Sequence, residues 1–184
     1  MSEAGHISGE NKKIAILIAI LAAFLAVSET GAKSAQTEVL TAQVEAANQW
    51  GFFQAKTIRQ TVLRTAADEM EAQYKDAGKM PPAVRARVDA WHKTVARYES
   101  EPETGEGRKE LSESAKHHVV EREYARAAYH HFEYGSAALQ LAIVLASAAA
   151  VTSVGLLAVV SGGLGVIGAV LTALGFLAPT LIHL

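Results

Sequence analysis

The sequence predicts an all-α integral membrane protein: three transmembrane helices, with an elongated, antiparallel, coiled-coil-like helical insert between the first and second. Three observations predict it. Half of the 184 residues are apolar and the mean hydropathy is +0.15. Of 17 basic and 19 acidic side chains, four precede Glu29 and none follows Glu133, so a charged middle separates two apolar ends. From Ala32 to Ala77 there is no proline and one glycine, Gly51, in a stretch dominated by Ala, Gln, Glu, Lys, Leu and Arg, all good helix formers. The composition excludes disordered and collagen-like chains, and the lack of cysteine excludes a disulfide-stapled mini-protein. A formal charge of -2 removes the electrostatic reason to expect a nucleic-acid partner.

A tail, 1–13, leads into the first predicted span, 14–33. Its apolar run Ile14 to Val27 has 14 residues, about 21 Å of helix against a hydrocarbon core of about 30 Å. Lys12 and Lys13 ahead of such a run, with Ala26 and Ser28 behind it, also fit a secretory signal peptide. Against cleavage stands a stripe of small residues, Ala15, Ala19, Ala22 and Ala26, continuing through Glu29 to Lys33. Small faces let helices approach closely in a bilayer, so this stripe is expected to face partner helices. Glu29 and Lys33 then lie one turn apart as an ion pair, and the helix continues past the bilayer edge.

The insert spans 34–136. Leu40, Val44, Ala47, Gly51, Ala55, Ile58, Val62 and Ala66 recur with a mean spacing of about 3.7 residues, nearer an eleven-residue repeat than a heptad. Gly78, Pro81 and Pro82 stop one helix and start the next. The second helix is predicted from Pro82 to about Glu99, with Val84, Val88, Trp91, Val95 and Tyr98 on one face, and 101–107 is a loop. Helix resumes at Arg108. The outgoing leg of about 66 Å matches returning pieces of about 70 Å. A straight stalk would set Trp50 and Phe53 opposite Val119 and Val120, and Lys56 and Arg59 near Glu110 and Glu113. Two uncharged runs follow, 137–160 and 164–182, each long enough to span; the small residues Ser161, Gly162 and Gly163 are the expected hairpin turn.

Several residue groups carry side chains of metal-binding or catalytic type. Glu113, His117 and Glu121 share a helical face but lack further ligands for a metal, and the Glu3 and His6 pair stands alone in the tail. His130 and His131, among Tyr129, Phe132 and Tyr134, read as an interfacial anchor. The glycines from Gly162 to Gly175 lack the lysine of a phosphate loop, and Gly168, Thr172 and Gly175 form a small face for helix contact. There is no cysteine nucleophile and no serine elbow. The expectation is therefore no enzyme, no cofactor, no metal and no small-molecule substrate. Candidate functional or interaction residues are Glu29, Lys33, Trp50, Phe53, Lys56 and Arg59.

The pattern Asn11-Lys12-Lys13-Ile14-Ala15 through Glu29 to Lys33-Ser34-Ala35-Gln36-Thr37, then Asn48-Gln49-Trp50 and Gln54-Ala55-Lys56-Thr57-Ile58-Arg59-Gln60-Thr61, resembles an uncharacterised bacterial membrane-protein family, domain of unknown function 4337. The late apolar pair is similar too. The resemblance implies a bacterial inner-membrane location and supplies no activity or catalytic residue to carry over. The expected function is a membrane-anchored helical structural or interaction protein. Its expected partners are the lipid bilayer and further copies of itself, or a membrane-protein partner. The alternative is a subunit of an oligomeric small-ion channel or transporter with Glu29 on a polar path. Lys33, Arg122 and Arg126 nearly balance Lys12 and Lys13, so the basic residues do not set the orientation; a cytoplasmic insert is expected because the reverse leaves a cytoplasmic hairpin turn with no positive charge.

Overall fold

The computed structural model describes residues 9–75 and 78–182. Among them are four helices and no strand: α1 (Gly9–Lys75), α2 (Pro82–Glu99), α3 (Arg108–Thr152) and α4 (Gly155–Leu177). By length and composition α1, α3 and α4 are each able to cross a membrane. The chain divides into two compact units, one of Met1–Leu40 with Arg122–Leu184 and the other of Thr41–Glu121. The Glu3 and His6 pair lies outside the described residues.

Local punctuation placed most helix ends. Gly78 takes φ 73, a left-handed conformation open to glycine, and Pro81 and Pro82 open α2. Both the Glu99 end of α2 and the Arg108 start of α3 fall where the sequence predicts. α1 runs through Glu29 and Lys33 without a break.

The late hairpin differs from expectation. The helices break at Ser153 and Val154, where Ser153 takes φ 56, and Ser161, Gly162 and Gly163 lie inside α4. Those small residues are part of a packing seam. Ser161, Gly165, Gly168, Thr172 and Gly175 are the buried face of α4, at alternating steps of four and three. On α3 the matching seam is Phe132, Gly135, Leu139, Ala142, Ala146 and Ala149, and the buried line continues past the end of α4 through Ala128 and Ala125. α3 and α4 run antiparallel: Ser161 Oγ donates to the Ala142 carbonyl at 2.7 Å, and His131 Nε2 donates to the Pro179 carbonyl at 3.0 Å. A Cβ on Gly168 would stand 2.6 Å from Leu139 Cγ and 2.9 Å from the Gly135 carbonyl, so the two backbones meet there because neither carries a side chain.

α1 packs with a different face from the one expected. Ala15, Ala19, Ala22, Ala26, Glu29 and Lys33 are all exposed, and the buried line is Ile14, Leu21, Ser28 and Ala35, seven residues apart. Ile14 packs with Ala146 and Ala149, and Leu21 with Leu139 and Ala142. Size complementarity explains the rotation. Opposite Ile14 and Leu21 the seams are mostly alanine and glycine, so a third small face would leave voids, whereas Ile14 and Leu21 fill them. Ser28 is fully buried; its hydroxyl donates to the Phe132 carbonyl at 3.0 Å. Phe132 closes this layer with Ala35 and Ala128, its ring 4.6 Å from that of Phe176. His131 and Phe132 thus point into the bundle and are not members of an outward anchor.

In the second unit α2 runs antiparallel to α1. Gln60 bonds to Val95 and Glu99, and Glu71 to His92. The predicted α2 face is correct: Val88 is buried and Val84, Trp91, Val95 and Tyr98 are half-buried. α1 here buries Ala42, Ala46, Gln60 and Ala67. The stripe that dominates its sequence stays outside: Leu40, Val44, Ile58 and Val62 are each more than half exposed, and nothing lies within 4 Å of a Cβ built on Gly51.

Candidate functional site

Each unit gathers one cluster of polar side chains. In the first unit a groove of about 520 Å³ opens between α1 and α3, where the apolar runs of both helices end. Glu29 and Lys33 line it from α1, and Tyr129, Glu133, Ser136 and Gln140 from α3. The expected Glu29 to Lys33 ion pair is not formed. Glu29 Oε1 instead accepts from Gln140 Nε2 at 3.4 Å, and among the described residues the Lys33 ammonium has no side-chain partner. Glu133 Oε2 lies 3.5 Å from His130 Nδ1. Ser136 is nine-tenths buried, yet its hydroxyl has no hydrogen-bond partner. A helical serine ordinarily bonds back to the carbonyl four residues earlier. For Ser136 that carbonyl is Phe132, which is taken by Ser28.

In the second unit the cluster is built around Arg108, in the first turn of α3. Its Nε donates to Thr57 Oγ1 at 2.9 Å, and NH1 to Gln60 Oε1 at 2.7 Å and to Glu99 Oε2 at 2.6 Å. The guanidinium lies 5.0 Å from the Phe53 ring centre, and Phe53 meets Trp50 edge-on at 5.4 Å. Gln60 completes the cluster by donating to Glu99 at 2.8 Å and to the Val95 carbonyl at 3.1 Å. Lys56 does not reach Glu110 or Glu113. It pairs with Glu101 at 3.6 Å and Glu106 at 3.5 Å, because the 101–107 loop folds against α1 instead of merely joining two helices. Glu110 clasps that loop from the other side, accepting from Ser100 Oγ at 2.5 Å and from the Glu101 N–H at 3.1 Å. Arg59 is exposed. Arg108 and Gln60 were absent from the sequence expectation; the available signal was an uncharged amide among the charges of a helix and an arginine at a helix start, where the dipole disfavours it.

Two carboxylates report this geometry. The Gln60 amide, ahead of an opposing desolvation and the charge of Arg108, holds the Glu99 carboxyl below the usual carboxylate range. The Ser100 hydroxyl does the same for Glu110, again against desolvation. A carboxylate whose folded pKa is depressed contributes stability that is present above its unfolded pKa and lost as pH falls through the folded one. Amide protection over 99–110, corrected for intrinsic exchange, is therefore expected to hold from neutral pH down to the ordinary carboxylate range and to fall as the pH drops below it. Glu99→Gln with Glu110→Gln should lower it at neutral pH and flatten the dependence. Protection indifferent to both would contradict the assignment.

Among the described residues one group could offer three metal ligands, His117, His118 and Glu121, with donor atoms within 4.8 Å of one another. His118 takes the place expected of Glu113. The Glu121 carboxylate is already shared, 2.8 Å from His118 Nδ1 and 3.4 Å from His117 Nδ1, so hydrogen bonding accounts for the group.

The stretches of α1 between Asn11 and Thr61 and the two late apolar helices are the features the resemblance covered. A family model described as a domain of unknown function (DUF4337) matches residues 10–178. The chain belongs to the DUF4337 family. No curated protein and no solved structure matches it. The DUF4337 match takes in both polar clusters and all four helices, apart from Gly9 at the start of α1.

Proposed function

We propose that the chain is a membrane-anchored helical interaction protein of a bacterial cell membrane that associates with further copies of itself and is not an enzyme. The apolar parts of α1, α3 and α4 lie in the bilayer, and 34–136 projects on the cytoplasmic side. The reading is carried by the bare stripe on α1 in the second unit. Val44, Ile58 and Val62 are 56%, 65% and 61% exposed around an open Gly51. A glycine inside an exposed helix costs about 1 kcal/mol relative to alanine, and neither a turn nor a contact within the chain requires this one. With Ala47 and Ala55 one turn to either side it forms a small strip on which a second helix can approach closely, flanked by Val44 and Ile58. No charge lies on the stripe from Leu40 to Val62. Copies held in one bilayer run parallel, so the same residues meet across a two-fold axis.

Gly51→Leu and Ile58→Glu are each expected to weaken self-association at least about tenfold, or about 1.4 kcal/mol. The readout is the mass of the detergent-solubilised assembly, with helix content unchanged. A monomeric parent protein would overturn the reading. A label-accessible cysteine at Ser100 reports the side of the membrane.

A second reading, a subunit of an oligomeric small-ion channel or transporter, draws support from Glu29, exposed at the end of an apolar run with only a long bond from Gln140. Loss of an ion flux in reconstituted Glu29→Gln vesicles would favour it.

A further inference from the structure

We propose that the groove between α1 and α3 in the first unit binds the aminoethyl-phosphate headgroup of a zwitterionic phospholipid, with its phosphate on Lys33 and its ammonium on Glu133. The inference rests on the bilayer reading above.

Three observations point to a ligand with both charges. Among the described residues Lys33 has no counter-ion, although Glu29 is one turn away and lines the same groove. Glu133 has one partner among the described residues, His130 at 3.5 Å, so its carboxylate can accept further hydrogen bonds. The Ser136 hydroxyl is nine-tenths buried without a partner, because Ser28 occupies the carbonyl it would otherwise use. Leaving a buried hydroxyl without a partner is costly, and a phosphate or ester oxygen accepts from it directly.

The helix directions orient the headgroup. Side chains lean toward the N-terminus of their own helix. For α1 that direction is the apolar run Ile14 to Val27, so Lys33 leans toward the edge of the hydrocarbon, the level of the phosphodiester. For α3 it is away from the apolar run, so Glu133 leans outward, where the ammonium emerges. Val144, one turn beyond Gln140, is 63% exposed and offers an acyl chain a surface.

The charge inventory selects among headgroups. Two carboxylates against one ammonium disfavour a purely anionic headgroup such as phosphatidylglycerol. A quaternary ammonium has no N–H to donate and is held by a cage of aromatic faces, and Tyr129 is the one ring on this groove. A primary ammonium fits both facts.

The test uses the full chain in detergent micelles doped with phosphatidylethanolamine, phosphatidylcholine or phosphatidylglycerol of identical acyl chains, with retained lipid counted by native mass spectrometry. Retention of the ethanolamine lipid about tenfold above the other two is expected, the worth of one charge-assisted hydrogen bond. Lys33→Ala and Glu133→Gln should each bring it to parity, and Ser136→Ala should lower it. Equal retention of the three lipids, or selectivity untouched by Lys33→Ala and Glu133→Gln, overturns the proposal. Co-flotation with vesicles of each lipid checks bilayer insertion separately, so a protein that floats with all three and discriminates none refutes the headgroup site alone. Displacement by glycerophosphoethanolamine supports the same chemistry taken from a soluble source, and persistence of the adduct supports the lipid.

Discussion

Gly168→Leu is expected to separate α4 from α3 and lower the stability of the first unit by about 3 kcal/mol or more, the upper end of overpacking costs. The Cβ alone would collide with Leu139 Cγ at 2.6 Å and the Gly135 carbonyl at 2.9 Å. A side-chain neighbour can rotate away, but the carbonyl of Gly135 belongs to a helix and cannot move without its neighbours. The damage spreads, because Thr172 Oγ1 lies 2.8 Å from the Gly168 carbonyl and 3.1 Å from Ser28 Oγ, which ties α1 into the same layer. Gly163→Leu is the control. Nothing lies within 4 Å of its Cβ, so leucine there gains up to about 1 kcal/mol of helix propensity and meets no neighbour. The comparison is read from denaturation midpoints in detergent, followed by circular dichroism. Equal midpoints for the two variants would refute the close approach.

The second large effect concerns Phe132, whose response should reverse sign with context. The ring is 3% exposed and meets the position a Cβ would take on both Gly31 and Gly175, at 2.8 Å in each case. Phe132→Ala removes it and should cost about 3–5 kcal/mol through lost contacts and a cavity. Gly31→Ala alone should destabilise, since the ring is held by Phe176 and cannot give way. In the Phe132→Ala background the same methyl enters the void and adds helix propensity, so Gly31→Ala should become neutral or stabilising. A double-mutant cycle measured by the same denaturation checks this. Additive effects would show that the ring and the glycine are not in contact.

The two units differ in how much of them could be read from the residues. α2 and the loop after it were legible almost to the residue, because Gly78, Pro81, Pro82, Pro102 and Gly107 act locally and because polar and apolar positions alternate along α2. The face of α1 between Ile14 and Ala26 was not. Nearly every residue there is apolar, so no periodic contrast marks the inside, and size alone decides which side packs. The same reason hid the turn. Ser161, Gly162 and Gly163 have the composition of a loop, but Ser161 starts a seam of close contacts, and the break falls among the β-branched residues around Ser153. In the second unit the sequence points to Lys56, which is held by two carboxylates, whereas Arg108 gathers Thr57, Gln60 and Glu99 from two other helices, a convergence no spacing announces.

The order of residues by itself determined the number of helices, most of their ends and the confinement of charge to the middle of the chain. Helix formation and capping rest on bonds between residues four apart or fewer, so they are written along the chain. Tertiary structure alone decided which face of α1 packs, that Glu29 and Lys33 stay apart in one groove beside an unpartnered Ser136, and that Gly51 faces open space. Those facts depend on the shapes and carbonyls of other helices, where a hydroxyl bond made by Ser28 removes the partner of a serine more than a hundred residues away.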